Sequence, residues 1–260
     1  DIQFGGANIN DGIFRRQIEG RIDVKGNIAT IDNLKLIKFI KNQNNRINPI
    51  DALKVSGRVI QKQGDIYYDN FKVATQVPIN VRMLNLVFKK SLLKQGNFEC
   101  SLNINGNLKN PRVVGKAELS DLDIPLYDTQ INNIKVNLTN SYIDGEIFAK
   151  NKRSDLKVLI KAINRLIPPY TIEKVGINSN NLNINDIIMS LPDSKVKSDI
   201  ETKQPLQIKP NDVIIKDGFF KFNEVEWDKI KAQNLNGYFN YKNEIFNFKN
   251  SSVDIAKGRI

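Results

Sequence analysis

FECSLNINGNLKNPRVVGKAELSDLDIPL, Phe98–Leu126, decides how the whole chain is read. Phe98, Cys100, Leu102 and Ile104 alternate with Glu99, Ser101, Asn103 and Asn105, and a period of two puts the four apolar side chains on one face of an extended strand. The alternation runs on through Gly106 and Leu108, so Asn105-Gly106 is not the turn its composition suggests. The turn is predicted at Lys109-Asn110-Pro111, because proline has no N–H to give a sheet ladder. Strands with one dry and one wet face belong to antiparallel sheets rather than to parallel sheets covered on both sides.

The same rhythm recurs outward from this stretch. Ile18, Gly20, Ile22 and Val24 share a face, as do Ile134, Val136 and Leu138, with mostly polar residues between them. Asp11-Gly12, Asp144-Gly145, Asp217-Gly218 and Lys242-Asn243-Glu244 read as turns, giving a long meander of hairpins. Aromatic residues gather late in the chain, among them Phe219, Phe220, Phe222 and Trp227, interleaved with Lys216, Lys221, Lys229 and Lys242. A platform for stacking bases has that composition. The alternation favours a different reading, in which Phe239 with Tyr241 and Phe246 with Phe248 place their rings on one dry face of paired strands.

Two segments depart from the β rhythm. In SDLKVLIKAINRLIPP, Ser154–Pro169, the residues Leu156, Leu159, Ile163 and Leu166 fall on one helical face, with Ser154 as N-cap and Pro168-Pro169 as the stop. In NINDIIMSLPD, Asn185 is placed to cap a short helix over Asp186–Leu191 before Pro192. The expectation is therefore one or two short helices inserted around residues 153–191. The polar segment Ser194–Pro210 is linker-like, and a final β section, about 213–260, starts near Val213.

Composition removes much chemistry. The chain has no histidine and one cysteine, Cys100. Ser/His and Cys/His catalysis, His-ligated zinc and an internal disulfide framework are thereby excluded, and no enzymatic activity, metal or cofactor is expected. Asp121 and Asp123 form an Asp-x-Asp, but the glycines and distal glutamate of a calcium loop are missing, and alternate residues on a strand share a face without any site. FGGAN near the start lacks the Lys-Ser/Thr ending of a phosphate loop. The 39 Lys and Arg against 28 Asp and Glu give a net charge of +11. That excess is scattered, and with 35 Asn it reads as a bias of composition rather than a nucleic-acid footprint. No run of 18 apolar residues occurs. The chain is expected to be a segment of a longer protein, since it starts without Met and DIAKGRI stops in the rhythm of a strand.

SLNINGNLKNPRVVGKAELSDLDIPLYDTQINNIKVNL, with Ile104, Gly106 and Leu108, then Pro111, Gly115 and Ile124-Pro125, is similar to the repeating unit of the AsmA/TamB superfamily. NLNINDIIMSLPD resembles that family's strand-then-helix element, and the Gly-led strands from Lys216 onward resemble its closing pattern. The resemblance covers roughly Phe98–Ile260. It implies a mainly β fold, a long twisted antiparallel sheet curled into an open groove (a β-taco), with residues 1–260 as one continuous segment of it. It further implies a periplasmic protein anchored in the inner membrane by a segment outside this chain. Such a protein would carry phospholipid between the inner and outer membranes and support outer-membrane integrity. Its partners would be phospholipid acyl chains, the two membranes and envelope proteins at the groove ends. The dry-face residues Phe98, Cys100, Leu102, Ile104, Ile134, Val136, Leu138, Phe239, Tyr241, Phe246 and Phe248 are the expected lining. A non-enzymatic envelope scaffold that binds proteins through its sheet edges is the alternative.

Overall fold

The computed structural model describes residues 2–10, 15–41, 47–81, 95–124, 129–151, 153–185 and 209–255. They are mainly β. In chain order the strands are β1 Ile2–Asn10, β2 Arg15–Lys25, β3 Ile28–Lys41, β4 Ile47–Lys62, β5 Asp65–Thr75, β6 Ile79–Asn80, β7 Gln95–Asn107, β8 Arg112–Ile124, β9 Thr129–Leu138, β10 Tyr142–Asn151, β11 Ser154–Ile163, β12 Tyr170–Asn183, β13 Val213–Trp227, β14 Ile230–Lys242 and β15 Ile245–Ile255. They pair in sequence order from β1 to β15 in one unclosed sheet, with short β6 pairing β7 beside the main path. Two compact units divide the chain: residues 1–80, 97–118 and 137–140 form the first, and 81–96, 119–136 and 141–260 the second.

Local signals placed the β7–β8 turn, which spans 108–111, the β14–β15 turn at Asn243-Glu244, and the start of the final β section at Val213. Three readings need correction. Residues 154–163 are strand β11 and not a helix, so the insertion around 153–191 consists largely of β11 and β12. The apolar residues there satisfy both periods, and Leu156, Val158, Ile160 and Ala162 form the strand face, while Leu159 and Ile163 are 39% and 38% exposed. Ser154 caps no helix; its hydroxyl accepts the N–H of Asn183 at 2.8 Å and ties β11 to β12. Ile184 and Asn185 have helical backbone, and the short helix expected at 186–191 lies outside the described residues, as do Asp11-Gly12 and most of the linker.

The second correction concerns Asp144-Gly145 and Asp217-Gly218, which lie inside β10 and β13 rather than in turns. Gly218 is needed for space, because a Cβ there would stand 2.5 Å from the Phe239 ring. The third concerns direction. β12 and β13 pair in parallel, Ile177 opposite Phe220 and Val175 opposite Gly218, so the sheet is mostly but not wholly antiparallel. A parallel neighbour needs a crossover, and residues 184–212 connect the two strands.

Within the first unit a hairpin pattern repeats. Gly20–Asn33 and Gly57–Asn70 both begin Gly-Arg-Ile/Val, carry Lys at the sixth position and end Asp-Asn. Lys25 and Lys62 close the first strand, a two-residue turn follows, and Ile22 pairs Ile31 as Val59 pairs Tyr68. The asparagines adopt left-handed backbone, φ 51° and 47°, a conformation that Asn tolerates better than most residues. Opposite them the ladder slips at Gly20 and Gly57, whose φ are 146° and 130°. A Cβ would meet Leu34 Cα at 2.6 Å in the first case and Phe71 Cα at 2.5 Å in the second. In the second unit Gly237–Asn250 repeats the length, the sixth-position Lys242, the final Asn at φ 50° and the slip at the leading glycine, with Phe239 opposite Phe248, while it begins Gly-Tyr-Phe and ends Lys-Asn.

Two stability tests follow. Gly57→Ala forces both a left-handed alanine and a backbone clash, and is expected to cost about 3 kcal/mol in urea unfolding. Gly26→Ala, at φ 56° in open space, is expected to cost about 1 kcal/mol; equal costs would discount the clash. Asp51 Oδ2 lies 3.0 Å from Lys35 Nζ and 3.2 Å from Lys54 Nζ, and the hydrogen bond from Lys35 leads in holding its carboxyl below the usual range. A depressed folded-state pKa stabilises above the unfolded value, and that contribution is lost as pH falls through the folded value. Thermal melts from pH 6 down to pH 2.5 should therefore drop less steeply for Asp51→Asn than for the unaltered chain.

Candidate functional site

The feature with functional potential is the apolar face of each unit. In the second unit it is built from cross-strand rows. Ile147, Val158, Ile177 and Phe220 form one row across β10–β13; Gly145, Ile160, Val175, Gly218, Phe239 and Phe248 form another across β10–β15. A third runs Ile143, Ala162, Ile172, Ile215, Tyr241 and Phe246. The slips between Lys161 and Ala162 and between Ile215 and Gly218 add residues in register, so the parity of the face is kept. None of these side chains is charged. At one end the face becomes polar, where Asn181, Glu224 and Gln233 stand opposite one another.

Aromatic rings cluster at β13–β15. Phe239 lies 5.9 Å from Phe246 and 6.2 Å from Phe248 between centroids, Tyr241 lies 4.6 Å from Phe246, and Phe220 lies 5.6 Å from Phe222. Phe239 is buried over Gly218, and the Tyr241 hydroxyl donates to the Pro210 carbonyl at 3.2 Å. Phe246 and Phe248 remain 53% and 62% exposed. Exposed aromatics continuous with a buried apolar surface are a place for apolar ligand or protein to settle.

The opposite face of the same strands carries the charged groups, beside an apolar row of Leu182, Val225 and Ala232 in which Val225 is buried. Lys157 Nζ lies 2.6 Å from Glu146 and Lys216 Nζ 2.9 Å from Glu173. The Lys157 hydrogen bond holds the Glu146 carboxyl below its ordinary range. Lys161 sits 4.6 Å over the Tyr142 ring and Lys174 5.8 Å over Phe219, so part of the basic excess covers aromatic rings. Asp155 accepts the backbone N–H of Asn180 at 3.0 Å and of Asn181 at 2.8 Å, which fixes the β11–β12 register.

In the first unit, Leu34, Val55, Val73 and Leu102 form a row across β3, β4, β5 and β7, and Phe71 pairs Ile104. Phe98 pairs Ile79 of β6. Cys100 is buried; the Thr75 hydroxyl accepts its N–H at 2.9 Å and donates to its carbonyl at 3.3 Å. Ile134, Val136 and Leu138 are half-buried on β9, alternating with exposed Lys135 and Asn137. The anticipated lining residues thus lie on apolar strand faces, and Phe246 and Phe248 are the most open of them. Those missed are Val158, Ile160, Val175, Ile177 and Phe220; the β-branched period-two run Val158-x-Ile160 was their signal.

Among the described residues, no group of three His, Cys, Asp or Glu side chains converges on a metal position, and no helix is long and apolar enough to cross a membrane. Asp121 has left-handed backbone, φ 53°, and its carbonyl lies where a Cβ on Gly96 would crowd it, so the position serves the bulge there. The Asp123 side chain lies outside the described residues. No family model, no curated protein and no solved structure matches the chain.

Burial pushes the Cys100 thiol above its ordinary pKa, so the reactive thiolate is scarce at neutral pH. Ellman's reagent at pH 7.5 is expected to label Cys100 at least tenfold more slowly in native than in urea-unfolded protein; equal rates would show that the β7 face opens.

Proposed function

We propose that the apolar strand faces form a groove for acyl chains, and that the chain is part of an envelope protein that carries phospholipid between inner and outer membranes. The observation that carries this reading is the set of three rows without a charged side chain across β10–β15, up to six strands wide in register and ending in exposed Phe246 and Phe248. The similarity of Ser101–Leu138 to AsmA/TamB repeats supports the same reading and supplies the periplasmic setting.

The energetics favour a lined route. A diacyl lipid has about 30 methylenes, and at roughly 0.8 kcal/mol each its transfer into water costs on the order of 24 kcal/mol. As a barrier this permits roughly one escape per day. An unbroken dry face replaces water contact for the tails at each small displacement, so the cost is never met in one step. Chemistry of this kind requires no nucleophile, no tuned acid and no metal, only a face free of charge and a polar reverse side.

A charge on the dry face should stop carriage while its neighbour on the wet face should not. Ile177→Asp and Leu102→Asp are expected to reduce phospholipid recovered per mole of purified protein, measured by mass spectrometry, about tenfold or more, since a buried carboxylate repels acyl chains. Asn178→Asp should leave recovery unchanged. A photo-crosslinker at Phe248 should capture lipid. Folded protein that yields neither bound lipid nor crosslink would defeat the proposal and leave the protein-binding scaffold as the better account.

A further inference from the structure

The hairpin repeat bears on the outer edge of β15, which has no neighbouring strand among the described residues. In the first unit each repeated hairpin is covered on its outer strand by a following strand, and the two covering strands share both sequence and register. β4 lays Leu53-Lys54-Val55-Ser56-Gly57 against β3, with Gly57 opposite Ile31, Val55 opposite Leu34 and Leu53 opposite Leu36. β7 lays Leu102-Asn103-Ile104-Asn105-Gly106 against β5, with Gly106 opposite Tyr68, Ile104 opposite Phe71 and Leu102 opposite Val73.

The physical cause is the left-handed asparagine. Asn33 and Asn70 each insert an extra residue into the hairpin strand, and the ladder slips there, between Ile31 and Leu34 and between Tyr68 and Phe71. The covering strand answers with glycine at positive φ, 130° at Gly57 and 91° at Gly106, a backbone open to glycine and strained for other residues. The polar residue before that glycine has its own task in β7: Asn105 Oδ1 accepts the N–H of Asn70 at 2.8 Å.

The third hairpin has the same bulge, at Asn250, and no covering strand among the described residues. Its positions equivalent to Ile31, Leu34 and Leu36 are Phe248, Ser251 and Val253, of which Phe248 is 62% and Val253 45% exposed, whereas Ile31 and Tyr68 are half-buried. We infer that the edge of β15 docks one further antiparallel strand reading aliphatic-x-aliphatic-Ser/Asn-Gly, with its glycine opposite Phe248, supplied from outside residues 1–260. The two strands of that sequence within the chain are already paired on both sides. β1, the opposite end strand, reads Ile2-x-Phe4-Gly5-Gly6 and lacks the polar residue before the glycine, which disfavours a second copy as occupant. The docking uses backbone N–H and C=O groups of the edge and stands independently of lipid carriage.

The probe is a fluorescein-labelled peptide of residues 50–60, IDALKVSGRVI, titrated into the 260-residue protein by anisotropy, with hydrogen exchange read by mass spectrometry. Saturable binding, protection confined to 245–255, and about tenfold weaker binding of the Gly57→Val peptide are expected. Phe248→Lys should weaken binding similarly while circular dichroism shows the fold unchanged. Four results would overturn the inference: no binding to folded protein at millimolar peptide, protection at β1 instead, equal affinity of the Gly57→Val peptide, or concentration-dependent self-association in sedimentation that protects β15 without peptide. Lipid recovery is read on the unaltered protein and not on Phe248→Lys, whose charge falls on the dry face, so failure here and failure of the groove are separable.

Discussion

A sheet that is dry on one side and wet on the other depends on parity. Each added residue in a strand turns every side chain beyond it to the other face, so a long meander keeps one apolar surface only if its irregularities are matched from strand to strand. Here they are matched. The bulges at Asn33 and Asn70 meet glycines that have no Cβ to clash, and the slips along β11, β12 and β13 fall at one level, so Ala162, Ile172, Ile215 and Tyr241 remain in line. Bulges also increase local twist, so the same devices that preserve the face bend it.

Space is managed by the same economy. Rings lie where glycines leave room: Phe239 over Gly218, Phe219 over Gly176 and Phe220 over Gly237. An aromatic ring over a glycine buries apolar area without a partner side chain. On the wet face, lysines over Tyr142 and Phe219 achieve a similar covering with their methylene stems.

What was legible in the sequence was local. Alternation in β7, the proline after Asn110 and the start of β13 at Val213 depend on neighbours in the chain, and they were read correctly. The misreadings have distant causes. Residues 154–166 fit a helix as well as a strand, and the choice is made by the hydrogen-bonding edges of β10 and β12 on either side. Asp-Gly at 144–145 and 217–218 has turn composition, yet Gly218 is required by a ring on β14. The parallel direction of β13 has no local signature. The candidate face was half visible: Phe239, Tyr241, Phe246 and Phe248 followed from period two, while Val158 and Ile160 were hidden by the helix reading and Val175, Ile177 and Phe220 went unread. The Gly-to-Asn repeat was present throughout and becomes apparent only when Gly20, Gly57 and Gly237 are aligned.

The parallel step between β12 and β13 divides the order in which the chain can fold. Most antiparallel neighbours are joined by a few residues, β5 and β7 by residues 76–94, and can zip one onto the next, whereas bringing β13 to β12 requires closing the 29-residue connection 184–212 before any contact rewards it. Strands β13–β15 are joined to one another by short turns at Asp228-Lys229 and Asn243-Glu244, so they can form as a block of their own. Their docking on β12 is then a late, slow event, and until it happens Phe220 and Phe222 lack the neighbours that β12 supplies.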